Sequence, residues 1–292
     1  MTLSHRVLLF LVCFFLLSSQ VVVGAEPLKM VRIAIIPCSD PLKMYEHFQP
    51  LIHYLEKETG MKFELKVPMY CGALKRMVIE KEVEFAYQSA HDYIQLVDYY
   101  NKDTLLKALT VDGNDHLYGL LIVRKDSDIR QLQDLRGKVV QFGPARSLQK
   151  WIAARWLFEE KGIDIEKDLA HYVKGGCCED IAFNVFVKAV DAGIICDHAL
   201  DEIRKEDNVD VSQLRELGRT KLVPTHVLAA RKDVPSEVVT AVNSALLKLD
   251  SDNPQHAKML QFTEIGGFQR SSDDQYDGLR KISAEAGSNS CN

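Results

Sequence analysis

The chain has 292 residues, 47% of them hydrophobic, and 36 Lys and Arg against 41 Asp and Glu leave it a net charge of −5. A weakly acidic chain without basic clusters excludes nucleic acid and anionic membrane surfaces as partners. The length suits one large domain or two lobes of ordinary size, and 7 cysteines are too few for a small disulfide scaffold.

The start, "MTLSHRVLLFLVCFFLLSSQVVVGAEP", sets basic Arg6 before an apolar run from Val7 to Leu17, then the small residues Val23, Gly24 and Ala25. This is the pattern of a secretory signal peptide spanning 1–25. The run is too short for a spanning helix. Cleavage after Ala25 removes one Arg and no acid, which takes the charge to −6, and it leaves 6 cysteines where disulfides are permitted.

Strands and helices then alternate. "MVRIAIIP" reads as a buried strand. "PLKMYEHFQPLIHYLEKETG" places Met44, Phe48, Leu51, Ile52 and Leu55 on one helical face, with Gly60 as its stop. The strand "KFELKVP", the helix "CGALKRMVIEKE", the strand "VEFAYQ" and the helix "AHDYIQLVDYY" come next, and "LYGLLIVRK" is a long strand. After a short helix around Leu132 and Leu135 comes the strand "KVVQFG". "SLQKWIAARWLFEEKGI" is an amphipathic helix with Trp151, Ala154, Leu157 and Phe158 on one face and Ser147 as its N-cap. The strand "LAHYVKGG", the helix "CEDIAFNVFVKA", the strand "VDAGIIC" and the helix "DHALDEIRKE" complete this half. The last third holds the strand "LVPTHVLAARKDVP" and the helix "SEVVTAVNSALLKLD". Such alternation predicts an α/β fold with mainly parallel sheets. Phosphate-binding and dinucleotide glycine loops do not occur, nor does a Cys-x-x-Cys or a close His pair. Cys196-Asp197-His198 has the residue types of a nucleophile site, but sequence neighbours rarely face one another. The residues therefore point to no enzyme and no cofactor.

The segments "IAIIPCSDPLKMYEHFQPLIHYLEKETG", "YGLLIVRKDSDIRQLQDLRGKVVQFG", "VDAGIICDHALDEI", "HVLAARKDVPSEVVTAVNSALLKLD" and "IGGFQRSSDDQYDGLRKI" occur here in an order and spacing with a known counterpart. The chain resembles the phosphonate-binding proteins of ABC importers, a branch of the type II periplasmic solute-binding proteins. The resemblance implies two α/β lobes with a ligand cleft between them and two hinge crossings, near Leu121–Arg124 and Leu222–Ala229. It puts lobe one at 26–121 with 224–292, and lobe two at 122–223. It implies a protein that binds a small oxyanion of the phosphate, phosphonate or arsenic type and catalyses nothing. The implied partner is the membrane permease of an ABC importer or the periplasmic domain of a sensor kinase.

In that architecture the loops after the strands carry the site. They hold Cys38 and Ser39, Tyr70 and Cys71, Ser89 and Tyr93, then Arg146, Ser147 and Gln149, then Cys177 and Cys178, and last Cys196, Asp197 and His198. The helix starting at Ser147 offers unpaired N–H groups and a positive dipole end to an anion, and Arg146 a charged fork; an ordinary capped helix with a solvated arginine is the plainer reading. Tyr70 and Tyr93 match the family pattern. Ser147-Leu148-Gln149 stands where the family has Ser-Thr-Ser, Cys177-Cys178 where it has Ser-His, and His198 near an acidic position. These departures leave an oxyanion plausible and add a ligand that prefers sulfur, such as arsenite, Cu or Zn. Disulfides between cleft loops, and plain packing of small apolar residues, are the competing readings of the cysteines.

Overall fold

A computed structural model describes residues 30–36, 41–69, 72–204, 208–260, 263 and 265–285. Two mixed sheets carry the chain, a six-stranded one and a five-stranded one, with a two-stranded ribbon between them in sequence.

The first sheet starts from β1 (Val31–Ile35), β2 (Phe63–Lys66) and β3 (Phe85–Gln88), which pair in parallel around β1. Helices α1 (Pro41–Thr59) and α2 (Ala73–Ile79) make the crossovers, and α3 (Ala90–Leu96) leaves β3. The five apolar residues read as the inner face of α1 are all buried. At roughly 1.5–3 kcal/mol for each fully buried side chain, that stripe anchors α1 to the sheet. The sheet is completed by β12 (Val227–Ala230), β4 (Leu106–Leu109) and β13 (Gly267–Arg270), with antiparallel pairing between β3 and β12, β12 and β4, and β4 and β13. Helices α7 (Ser236–Leu246), α8 (Pro254–Leu260) and α9 (Asp277–Glu285) flank this end of the chain.

From β4 the chain passes through β5 (His116–Leu117) into the second sheet at β6 (Gly119–Arg124). It returns from β10 (Leu214–Arg219) through β11 (Val223–Pro224), which pairs antiparallel with β5, into β12. The expected first crossing at Leu121–Arg124 is therefore corrected: that stretch lies inside β6, because the chain has changed sheets at β5. In the second sheet β7 (Val139–Phe142) pairs in parallel with β8 (His171–Lys174) and β9 (Ala192–Cys196). Helices α4 (Ala153–Glu160), α5 (Cys178–Phe186) and α6 (Ala199–Ile203) connect or follow them. Strand β6 lies between β9 and β10, antiparallel to both.

The α/β class and the two sheets flanked by helices agree with the sequence reading, but the sheets are mixed rather than mainly parallel. The strands that enter each sheet from the β5–β11 ribbon, β6 and β12, run against the βαβ units. The unbroken apolar run of β6 reflects its central place. Leu120 and Ile122 meet Ile181 and Val185 on one face, and Leu121 and Val123 join Val140 and Phe142 on the other. One apolar cluster runs from Tyr93 and Tyr100 through Leu117 and Val223 to Phe142 and Trp151, and so joins the two sheets.

Candidate functional site

The parallel strands of the second sheet deliver three loops to one place. The first comes after β7. Ser147 Oγ accepts from Lys150 N at 3.2 Å, so Ser147 is the N-cap that its sequence predicts. A π-turn, Leu148–Ile152, then leads into α4. The wider turn buries all five of its residues, including the polar Gln149 and Lys150. A Cβ at Gly143 would stand 2.5 Å from Lys150 Cβ and 2.8 Å from its Cε. Only glycine lets the lysine stem lie that close to the β7 end. Sequence reading passes over Lys150, although it shares the helical stripe of Trp151, Ala154 and Leu157. A lysine inside an apolar stripe was the available signal.

The second loop, after β8, turns through Gly175 and Gly176 at φ 122° and 89°. Gln141 Nε2 donates to Gly175 O at 3.1 Å, and Asn184 Nδ2 donates to Gln141 Oε1 at 2.8 Å, which braces the loop against α5. The adjacent cysteines divide there. Cys177 caps α5, with its N–H donating to Asp180 Oδ2 at 3.1 Å. Burial and then Glu179 push its thiol up to about 12, so it stays protonated. Cys178 turns the other way. Lys150 Nζ lies 3.6 Å from its Sγ and the Cys196 N–H donates to it at 3.3 Å. The neighbouring Cys196 thiol first, then the Lys150 ammonium, pull the Cys178 thiol below its ordinary value against the cost of burial. The third loop supplies Cys196, whose Sγ lies 3.6 Å from Gln149 Oε1, and Gln149 Nε2 reaches Tyr118 O at 3.4 Å. All three described cysteines are thiols rather than disulfide halves.

Asp197 and His198 close this group on the ribbon side. Asp197 Oδ2 accepts from Tyr118 N at 3.2 Å, and its Oδ1 lies 3.0 Å from His198 Nδ1. From the first sheet come the residues after β3. Ser89 Oγ accepts from Asp92 N at 3.1 Å and donates to Asp92 Oδ2 at 2.5 Å. Burial raises the Asp92 carboxyl, while Ser89 and the positive charge of Arg146 oppose the rise. Arg146 in the second sheet's loop is thus within electrostatic reach of the first sheet's α3. Gln88 is fully buried; its carbonyl accepts from Tyr100 Oη at 3.2 Å, while its Nε2 lacks a partner among the described residues.

Tyr93 is placed elsewhere than its match to the family pattern suggests. It is fully buried and stacks on Tyr100, and its hydroxyl donates to Asp273 Oδ1 at 2.6 Å. Arg280 holds the same carboxylate, so the hydroxyl serves a structural network with α9. Cys38, Ser39, Tyr70 and Cys71 lie outside the described residues. The structure brings Arg146, Ser147, Gln149, Cys178, Asp197 and His198 to one end of the second sheet, and adds Lys150, which sequence reading missed.

The profile of the family described as "ABC transporter, phosphonate, periplasmic substrate-binding protein" matches residues 33–276. The chain is 23% identical to the phosphonates-binding periplasmic protein of Escherichia coli, across 88% of this chain and 77% of that one. It is 26% identical to the phosphate-import protein PhnD of Mycolicibacterium smegmatis, across 89% and 87%. The fold is similar to that of PhnD1 from Prochlorococcus marinus in complex with methylphosphonate, with a TM-score of 0.77 at 15% identity over 89% of this chain and 99% of that one. Most of the chain, including both sheets, falls within the matched range, and it belongs to the family of periplasmic substrate-binding proteins of phosphonate ABC transporters.

Proposed function

We propose that the chain is a periplasmic receptor for a small oxyanion of the phosphonate, phosphate or arsenic type, which it binds without catalysis between its two sheets. One observation carries the reading: a Ser147-capped turn sets its first N–H groups, those of Leu148 and Gln149, beside Arg146 and the buried Lys150 at the carboxyl ends of parallel strands. That end combines a positive dipole with two cationic side chains, a chemistry that suits a phosphoryl or arsenyl oxyanion. Gln88 Nε2, without a partner among the described residues, offers a further donor from the first sheet. The lobes are taken as 30–117 with 225–285 and 118–222, hinged at the β5–β11 ribbon, with closure bringing Arg146 onto α3. The proposed partner is the permease of an ABC importer. A sensor kinase is the alternative, and gene neighbours separate the two, as permease and ATPase genes or as kinase and regulator genes.

Titration calorimetry with methylphosphonate, phosphate and arsenate tests the reading. Saturable binding of at least one supports it, and heats of dilution alone for all three reject it. A second reading, capture of arsenite or another thiophile, is favoured by the meeting of Cys178 and Cys196, since soft centres bond thiolates. Arsenite binding that disappears in a Cys178→Ser, Cys196→Ser protein would select it.

A further inference from the structure

Two thiols and a buried lysine meet where the proposed receptor needs a positive charge. The Cys196 N–H is 3.3 Å from Cys178 Sγ, so the Cys178 sulfur lies against the backbone that carries the Cys196 side chain. Lys150 Nζ is 3.6 Å from the same sulfur, and Gln149 Oε1 is 3.6 Å from Cys196 Sγ. We propose that Cys178 and Cys196 form a reversible disulfide, and that its formation releases Lys150 to an anionic ligand. The proposal rests on the oxyanion reading above.

The charges explain the coupling. In the reduced state the Lys150 ammonium faces Cys178, whose thiolate form is favoured by that ammonium and by the Cys196 thiol. An incoming oxyanion then meets a like charge already seated on its cation. A disulfide carries no charge, and it cannot accept an ion pair as a thiolate does. Gly143 holds the lysine stem in place in either state, because no other residue leaves room for it.

The chemistry balances with a low-molecular-weight disulfide as oxidant, and the periplasmic compartment permits the product. The Cys178 thiolate attacks one sulfur of that disulfide, forms a mixed disulfide and expels one thiolate. The Cys196 thiol loses its proton to water, and its thiolate attacks the Cys178 sulfur and expels the second. The protein loses two electrons, and the oxidant becomes two thiols. Cys177 is adjacent in sequence but remains outside the reaction, since its thiol is pushed up to about 12 and its backbone is tied to Asp180.

The test uses the whole mature chain. It is incubated with glutathione disulfide or with dithiothreitol, alkylated, mapped by peptide mass spectrometry and titrated with methylphosphonate in both states. The expected result is a Cys178–Cys196 peptide that dithiothreitol reverses and that Cys177→Ser still forms. Binding should be at least tenfold tighter in the oxidised state, with that ratio lost in Lys150→Met. No disulfide, a pairing of Cys178 with another cysteine, or equal affinity in the two states overturns the inference while leaving the oxyanion reading standing. No binding in either state overturns both.

Discussion

Two helix starts in this protein look alike in sequence and differ in what they do. Ser89 opens α3 after β3, and Ser147 opens the π-turn after β7; each serine accepts from the N–H three residues on. In the first sheet that third residue is Asp92, whose carboxylate also accepts a hydrogen bond from the serine hydroxyl. This start carries its own anion and is neutralised from within. In the second sheet the third residue is Lys150, buried and aimed at Cys178. That start adds a positive charge to a positive dipole end, and the group that faces the charge, Cys178, comes from another loop. The α5 start repeats the first pattern, with Asp180 three residues after Cys177. On the proposed reading, the sign of the charge three residues after the cap separates a start that stabilises the fold from one that recruits a ligand.

If the comparison holds, damage at α3 should appear in stability and damage at the Ser147 turn in binding. The largest effect is expected from acid at α3. His91 is fully buried, with Gln95 and Ser283 on its ring nitrogens, and burial lowers its pKa to about 4. The unfolded chain takes up the proton from about pH 6.5 downward, whereas the folded one resists until about pH 4. The stability from this site is thus present above pH 6.5 and lost as pH falls through that window, by roughly 3 kcal/mol. Denaturant unfolding at pH 7 and pH 4.5 should show a steeper loss in the natural chain than in His91→Gln.

A smaller effect is expected from Gly143→Ala. Its Cβ collides with the Lys150 stem, and forcing such an overlap costs about 1–3 kcal/mol of stability. Because the lysine must shift, anion affinity should fall as well, and this joint loss marks the β7 end as part of the site. Unfolding and calorimetry on the same sample check both. The sharpest pair is the smallest. Ser89→Ala should cost about 1 kcal/mol of stability and leave the anion enthalpy unchanged. Ser147→Ala should cost about 1 kcal/mol or more of anion affinity, because a bound anion loses a hydroxyl donor. If both substitutions act on stability alone, the two starts are the same device and the comparison fails.

The parts that local pattern controls were legible in the sequence. The α1 face, the Ser147 cap and the gathering of Cys178, Cys196, Asp197 and His198 at strand ends arise from periodicity, capping chemistry and the position of loops after strands. The strands β4, β10 and β13 were not legible. "LKAL" carries good helix formers and a buried Lys107, whose ammonium donates to Asp115 in the following turn. "LRELGR" is an edge strand with exposed charges, and "GFQR" is too short to alternate. Tyr93 misled for a related reason. Its hydroxyl is claimed by Asp273, 180 residues away, and nothing near Tyr93 announces that partner. Lys150 was overlooked because its reason for being buried, Cys178, sits 28 residues on and across the sheet.

The central claim is that Lys150 makes the second sheet's helix start an anion site. Its most direct test is methylphosphonate titration of the natural chain and of Lys150→Met, both after incubation with glutathione disulfide, with thermal unfolding of both. The account predicts a loss of affinity of about 2 kcal/mol or more, since a charged donor to a sequestered anion is removed, while the unfolding midpoint holds or rises. Equal affinity in the two proteins would contradict it.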